Sequence, residues 1–120
     1  MQTAGPYVPD AGDVYWIDHG GAIGHEQGGR RPSLVLTSRD YNQRSSVIVT
    51  CPISRRSRPW FFQVAISPVD RITGYALVDQ VRAIDPSARH SRFAGRVSDE
   101  TLARVRTLLS VLLVSNLEAG

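Results

Sequence analysis

Hydrophobic positions come in short runs of five to ten residues through most of the chain and take on a helical period only near its end. Residues 13–18 (DVYWID), 33–37 (SLVLT), 47–53 (VIVTCPI), 61–66 (FFQVAI) and 75–84 (YALVDQVRAI) are rich in β-branched, aliphatic and aromatic side chains and are separated by glycine, proline or arginine-rich stretches. This pattern predicts at least five strands. Many short strands without long intervening helices point to a small barrel, a mainly β fold. Ser38 is placed to cap a helical turn through residues 39–44 (RDYNQR). From Ser98 the period changes. Ser98 is a cap, Asp99 and Glu100 suit the positive end of a helix, and Leu102, Val105, Leu108, Leu109, Leu112 and Leu113 follow at helical spacing. The expectation is a C-terminal amphipathic helix whose apolar stripe covers a barrel opening or a dimer seam. Residues 20–29 (GGAIGHEQGG) hold five glycines in ten positions and are too long and polar for a tight hairpin. They predict a mobile loop between the first two strands. Residues 1–11 read as a loose leader, followed by a single domain over 12–118.

A chain of 120 residues with 42% hydrophobic content is the size of one domain with one core. Cys51 is the single cysteine, so no internal disulfide forms, and three scattered histidines complete no zinc-spaced set. Neither a metal nor a cofactor is expected. No window approaches the roughly 18 apolar residues of a membrane span, and the first residues lack a basic stretch followed by an apolar run. The expected setting is the cytoplasm. All 14 basic residues are arginine and the net charge is +3, which favours an anionic partner. Genome composition replaces lysine by arginine without functional cause, so distribution says more than the total. Arg55, Arg56 and Arg58 lie within four positions, Arg30 and Arg31 are adjacent, and Arg82, Arg89, Arg92 and Arg96 recur along one segment. The guanidinium fork stays charged and matches phosphate geometry.

Three segments carry candidate chemistry. Residues 26–32 (EQGGRRP) place a carboxylate, Glu26, near Arg30 and Arg31 where a glycine-rich loop meets a strand; alone, this reads equally as a structural ion pair. Residues 52–59 (PISRRSRP) deliver the Ser54 hydroxyl beside Arg55, Arg56 and Arg58, a patch able to hold consecutive phosphates or simply a solvated surface. Trp60, Phe61 and Phe62 follow as core residues, with one exposed ring able to stack an unpaired base. In residues 74–85, Asp79 and Gln80 interrupt an apolar pattern and read first as a hydrogen-bond network that fixes the barrel.

Taken together, Gly12-Asp13 with Trp16 and Asp18, then residues 26–32, then Pro52 to Ser54, then Asp79 to Val81 resemble the MazF/PemK toxins, in order and in spacing, over roughly residues 12–113. The resemblance implies an SH3-like or plasmid-maintenance-toxin barrel, a homodimer, cleavage of single-stranded RNA at short sequences, and neutralisation by a cognate antitoxin. It points to Arg31, Ser54 and Glu26 as catalytic residues. Gln27, Arg55, Arg56, Arg58, Gln80 and Arg89 become RNA-binding candidates. Metal-free cleavage needs the 2′-hydroxyl deprotonated, the phosphorane charge stabilised and the leaving 5′-oxygen protonated. Arg31 suits the second task, Ser54 positions a phosphate oxygen, and Glu26 is either the base or the residue that orients Arg31. The expected ends are a 2′,3′-cyclic phosphate and a 5′-hydroxyl. The chain departs from the common pattern at Ser54, where many relatives carry threonine, and in residues 20–25, which lack the usual charged, proline-containing stretch. A histidine mechanism through His25 and His90 ranks second, and His19 is expected at the surface or lining a groove. A gyrase-poisoning toxin of the same fold is the alternative function, disfavoured because that activity depends on a tryptophan near the C-terminus and this chain ends LLVSNLEAG. A non-catalytic RNA-binding relative is the third possibility.

Overall fold

β-branched and aromatic residues from Asp13 to Asp18 form β1, and it folds back on β2, Arg30–Val35, in register Val14↔Leu34 and Ile17↔Arg31. The computed structural model describes residues 7–21, 24 and 29–114. Two backbone hydrogen bonds close the base of this hairpin, His19 N to Gly29 O at 2.8 Å and Gly29 N to Gly20 O at 2.6 Å. Most of the glycine-rich loop expected to be mobile, 22–23 and 25–28, lies outside the described residues. After a short helix α1, Arg39–Arg44, comes β3, Ile48–Ser54. The hairpin of β4, Gln63–Val69, and β5, Ile72–Leu77, follows, and then the short β6, Arg82–Ile84. A 3-10 turn at Pro86–Ala88, β7 at Arg92–Arg96 and helix α2 at Asp99–Val114 complete the described chain. The antiparallel sheet runs β4-β5-β3-β2-β1-β7, with β6 pairing the start of β3. β3 is the pivot: its first half pairs with β6 through Ile48↔Ile84, and its end pairs with β5 through Ser54↔Tyr75.

Alternation along the strands puts Val14, Leu34, Cys51, Ile53, Val64 and Ala76 into one core, which Phe62 and the α2 residues Leu102 and Val105 complete. Each fully buried aliphatic side chain contributes about 1.5–3 kcal/mol. The opposite register faces a smaller cluster of Tyr15, Ile17, Val35, Ile48 and Ile84. Burial pushes the Cys51 thiol up to about 12, so it packs as a small hydrophobe and is inert.

Both helices start where their caps predict. Ser38 Oγ accepts from the Tyr41 amide and Ser98 Oγ from the Thr101 amide at 3.1 Å. The fold is mainly β as expected, but strand limits differ. The apolar run over 75–84 is two strands, because the chain turns at Val78 and Asp79, with Gln80 N bonded to Leu77 O. Its first part pairs with the end of β3 and its last part with the start of β3. The run stays apolar across the turn because Leu77 and Val78 are both buried. β2 begins earlier than its apolar stretch, since Arg30 and Arg31 extend the ladder against Asp18 and Ile17. β7 is not foreshadowed by the hydrophobic pattern: RFAGR is short and largely exposed.

The leader boundary also moves. Tyr7 to Ala11 are held rather than loose: the Tyr7 hydroxyl and the Asp10 amide both donate to Asp13 Oδ2, and Asp10 Oδ1 accepts from the Arg39 amide at 2.9 Å. Ala11 lies in the main core. Asp13 itself is fully buried and bonds Arg96 Nη1 at 2.7 Å, which ties the start of β1 to β7. The rest of the expected leader, residues 1–6, lies outside the described residues, as do 115–120.

Candidate active site

The end of β3 and the start of β2 meet at a cleft of about 980 Å³. Arg30, Arg31, Ser54, Arg55, Arg56, Arg71 and Arg92 line it together with Trp16, and Asp70 is the one carboxylate among the described lining residues. Ser54 is 8% exposed, and its Oγ accepts from the Arg56 amide at 3.1 Å. That bond occupies one lone pair and leaves the hydroxyl hydrogen to be donated elsewhere. Ser54 is set by a close backbone approach. Gly74, at φ +136°, lies so near β3 that a Cβ there would collide with the Ser54 carbonyl, so only glycine lets β5 pair at this height. Gln63 pins the loop beyond Ser54 by accepting from the Arg58 amide at 2.9 Å and donating to the Arg56 carbonyl at 3.0 Å. The arginines of this loop are exposed side chains on a backbone with fixed anchors.

A second cleft, of about 480 Å³, is lined by Arg58, Trp60, Gln63, Asp79 and Gln80 among others. Ser54 and Arg56 line both clefts. Asp79 Oδ2 accepts from Trp60 Nε1 at 2.9 Å, so the expected structural role for this carboxylate has a partner.

His19 is 3% exposed, which corrects the expectation of a surface or groove-lining histidine. Its Nε2 lies 2.7 Å from Ser33 Oγ, and Arg82 Nη1 lies 3.5 Å from its Nδ1 and donates to its carbonyl at 3.3 Å. A guanidinium only donates, so Nδ1 accepts and Nε2 carries the hydrogen that goes to Ser33. Desolvation, then Arg82, Arg89 and Arg31, lower the imidazole to about 4, against a small opposing pull from Asp18. His19 is therefore neutral at physiological pH. The closed base of the β1–β2 hairpin buries it, a consequence of pairing that its loop-like sequence context does not reveal.

Of the residues singled out in sequence, Arg31, Ser54, Arg55 and Arg56 gather on the large cleft, while Arg58 and Gln80 line the small one with Ser54 and Arg56. Arg89 is not among the residues lining either; its Nη1 donates to the Asp18 carbonyl at 3.3 Å beyond the end of β1. Glu26, Gln27 and His25 lie outside the described residues. His90 is exposed at φ +49°, and its carbonyl accepts from Arg30 Nη1 at 3.2 Å. Sequence reasoning passes over Arg71 and names Arg92 only as one of the arginines recurring over 82–96, yet both line the large cleft. Arg71 sits in the β4–β5 turn and Arg92 opens β7, and neither stands in a local motif. The polar pair Asp70-Arg71 between two apolar runs is a hairpin-turn signal, and it is the available cue for the first.

Among the described residues, no group of three or more His, Cys, Asp or Glu side chains is gathered to hold a metal ion. No described helix is long and apolar enough to cross a membrane. The family of PemK-like, MazF-like toxins of type II toxin–antitoxin systems matches residues 10–113. The endoribonuclease toxin MazF of Escherichia coli K12 is 36% identical over 107 residues, 89% of this chain and 96% of that protein. Among solved structures, MazF from Deinococcus radiodurans superposes with a TM-score of 0.83 at 36% identity, covering 90% of this chain and 98% of that one. A MazE–MazF structure from the same organism gives 0.78 at 32% identity, covering 92% and 100%. With the family model spanning residues 10–113 and a relative 36% identical over 89% of the chain, the chain belongs to the PemK-like, MazF-like toxin family of type II toxin–antitoxin systems.

Proposed function

We propose that this chain is an endoribonuclease toxin that cuts single-stranded RNA at a short sequence without a metal ion, with Arg31 and Ser54 acting on the scissile phosphate. One observation carries the reading: a serine hydroxyl with a hydrogen to donate lies on the same cleft as Arg31, Arg55 and Arg56. Its E. coli relative is named an endoribonuclease. In the reaction the 2′-oxygen loses its proton to a base and attacks the adjacent phosphorus. The bond from phosphorus to the 5′-oxygen breaks, and that oxygen takes up a proton. The products are a 2′,3′-cyclic phosphate and a 5′-hydroxyl. Arg31 and its neighbours stabilise the negative charge of the pentacoordinate phosphorus, and Ser54 donates to a non-bridging oxygen. A guanidinium with a reference pKa above about 12 holds charge and does not trade protons near neutrality. Glu26 either takes the 2′ proton or orients Arg31. Arg55, Arg56 and Arg58 hold flanking phosphates, Gln27 and Gln80 contact bases, and Arg89 adds positive potential beside His19.

Because a MazE–MazF structure is among the similar ones, a cognate antitoxin is the natural protein partner, with an acidic segment suited to the arginine-lined cleft. The working unit is a homodimer in the cytoplasm, each protomer a single domain that includes Tyr7 to Ala11. Gyrase poisoning gains no support, since the relative named above is a ribonuclease.

The test is incubation of purified protein with long single-stranded RNA in excess EDTA, beside an Arg31→Ala variant, with the cut ends mapped. Sequence-restricted cuts bearing 5′-hydroxyl ends, lost in the variant, are expected. Intact RNA with protein that still arrests growth in cells would overturn the reading.

A further inference from the structure

The small cleft differs in kind from the large one. An indole, Trp60, lines it beside two arginines, where six arginines line the large one. Trp60 is 50% exposed, while Phe62, two residues on, is 4% exposed in the core. The indole is also held. Its Nε1–H donates to Asp79 Oδ2 at 2.9 Å, and its ring meets Phe62 edge-on, centroids 5.6 Å apart at 61°. With its only polar hydrogen satisfied, Trp60 offers the cleft a rigid π surface and no donor. A ring fixed in this way loses little entropy when another ring stacks on it. The cleft volume of about 480 Å³ falls in the usual range of about 300–1,000 Å³ for small-ligand sites.

We infer that this cleft is a base-recognition subsite, in which an unpaired nucleobase of the RNA stacks on Trp60 while Arg56 and Arg58 hold the flanking phosphates. The inference rests on the RNA-cutting reading of the adjacent cleft. Continuity argues for it: Ser54 and Arg56 line both clefts, so a phosphate on Ser54 places a neighbouring base at the small cleft. Charge argues for it as well. Arg56 and Arg58 line it against a single carboxylate among the described lining residues, and that carboxylate is already bonded to Trp60. Stacking tolerates any base. Discrimination falls to the polar residues of the rim, Gln63 and Gln80 among them. An acidic peptide is the competing occupant, but it would use the arginines and leave the fixed indole without a role.

The experiment uses Trp16→Phe protein, in which Trp60 is the sole remaining tryptophan, and single-stranded 2′-fluoro oligonucleotides, which lack the attacking hydroxyl and stay intact. Saturable quenching of Trp60 emission is expected, and it disappears with an abasic oligonucleotide of the same length. Trp60→Ala in the otherwise unaltered chain should weaken oligonucleotide binding roughly tenfold, and Trp60→Tyr should recover most of the loss. Equal affinity in Trp60→Ala, or equal quenching by the abasic strand, overturns the subsite while leaving the nuclease reading intact. Should Trp60→Ala fail to fold by thermal melting, the abasic comparison and Trp60→Tyr decide. Quenching by polyglutamate but not by oligonucleotide hands the cleft to an acidic peptide and overturns the inference. Absence of any oligonucleotide binding by the unaltered chain removes the RNA reading beneath it.

Discussion

Burial and three guanidinium groups act on His19 in the same direction, and the outcome is a neutral imidazole held at about 4 against an ordinary value of 6.5. A folded-state pKa below the unfolded one means the unfolded chain binds the proton first as pH falls. The stabilisation from neutral His19 is therefore present above about 6.5 and is lost as pH drops towards 4, a total of about 3 kcal/mol. The carboxyl groups of Asp10 and Asp85 are already lowered below 3.8 by hydrogen bonds from backbone and serine donors, so they titrate below this window. Urea unfolding at several pH values between 7 and 4 should show that slope in the wild type and a much shallower one in His19→Gln, which keeps a donor for Ser33 but does not titrate. Equal slopes would mean that His19 is protonated in the folded protein. Residues also differ in how legible they are. Ser54 and Arg55 to Arg58 stand together in one strand-end loop, so local order is enough to group them. His19 cannot be read in this way, because its environment is assembled from Ser33, Arg82 and Arg89 on other elements.

At the scale of elements, the approach of β5 to the end of β3 sets the height of Ser54. Gly74→Ala would bring a methyl group onto the Ser54 carbonyl at a backbone angle of φ +136°. It should destabilise the fold by roughly 1–3 kcal/mol, seen as a lower urea midpoint, and reduce RNA cleavage through displacement of Ser54. Gly21→Ala is the stability control, since no described residue lies within 4 Å of its added Cβ; a loss in that variant equal to the loss in Gly74→Ala would show that strand approach is not the cause. The two helices are legible because capping is local: Ser38 and Ser98 each bond an amide three residues on. Strand ends are less so. The turn at Val78 and Asp79 sits inside a largely apolar run, and β7 is fixed in place where Arg96 bonds buried Asp13 across the sheet.

At the scale of the molecule, the arginines converge. Six of them line the large cleft and Arg58 extends the line into the small one, although the chain's net charge is only +3. Binding of an uncleavable single strand should weaken with salt in proportion to the phosphates engaged, about −0.7 in log–log slope for each. About four engaged phosphates give a slope near roughly −3, and Arg55→Ala and Arg56→Ala should each make it shallower by about one such step. A salt-independent affinity would dissociate the arginine cleft from RNA. The sequence alone determined the mainly β class, both helices, the family and the pairing of Ser54 with its arginine loop, because each depends on periodicity, caps or residues close in the chain. Only the tertiary structure decided that Arg71 and Arg92 join Arg31 on one cleft, that Trp60 is fixed beside a second, and that His19 is buried and neutral. These are outcomes of pairing between distant segments: the alternation along a strand tells which side chains share a face, but their neighbours come from whichever strands the fold brings alongside.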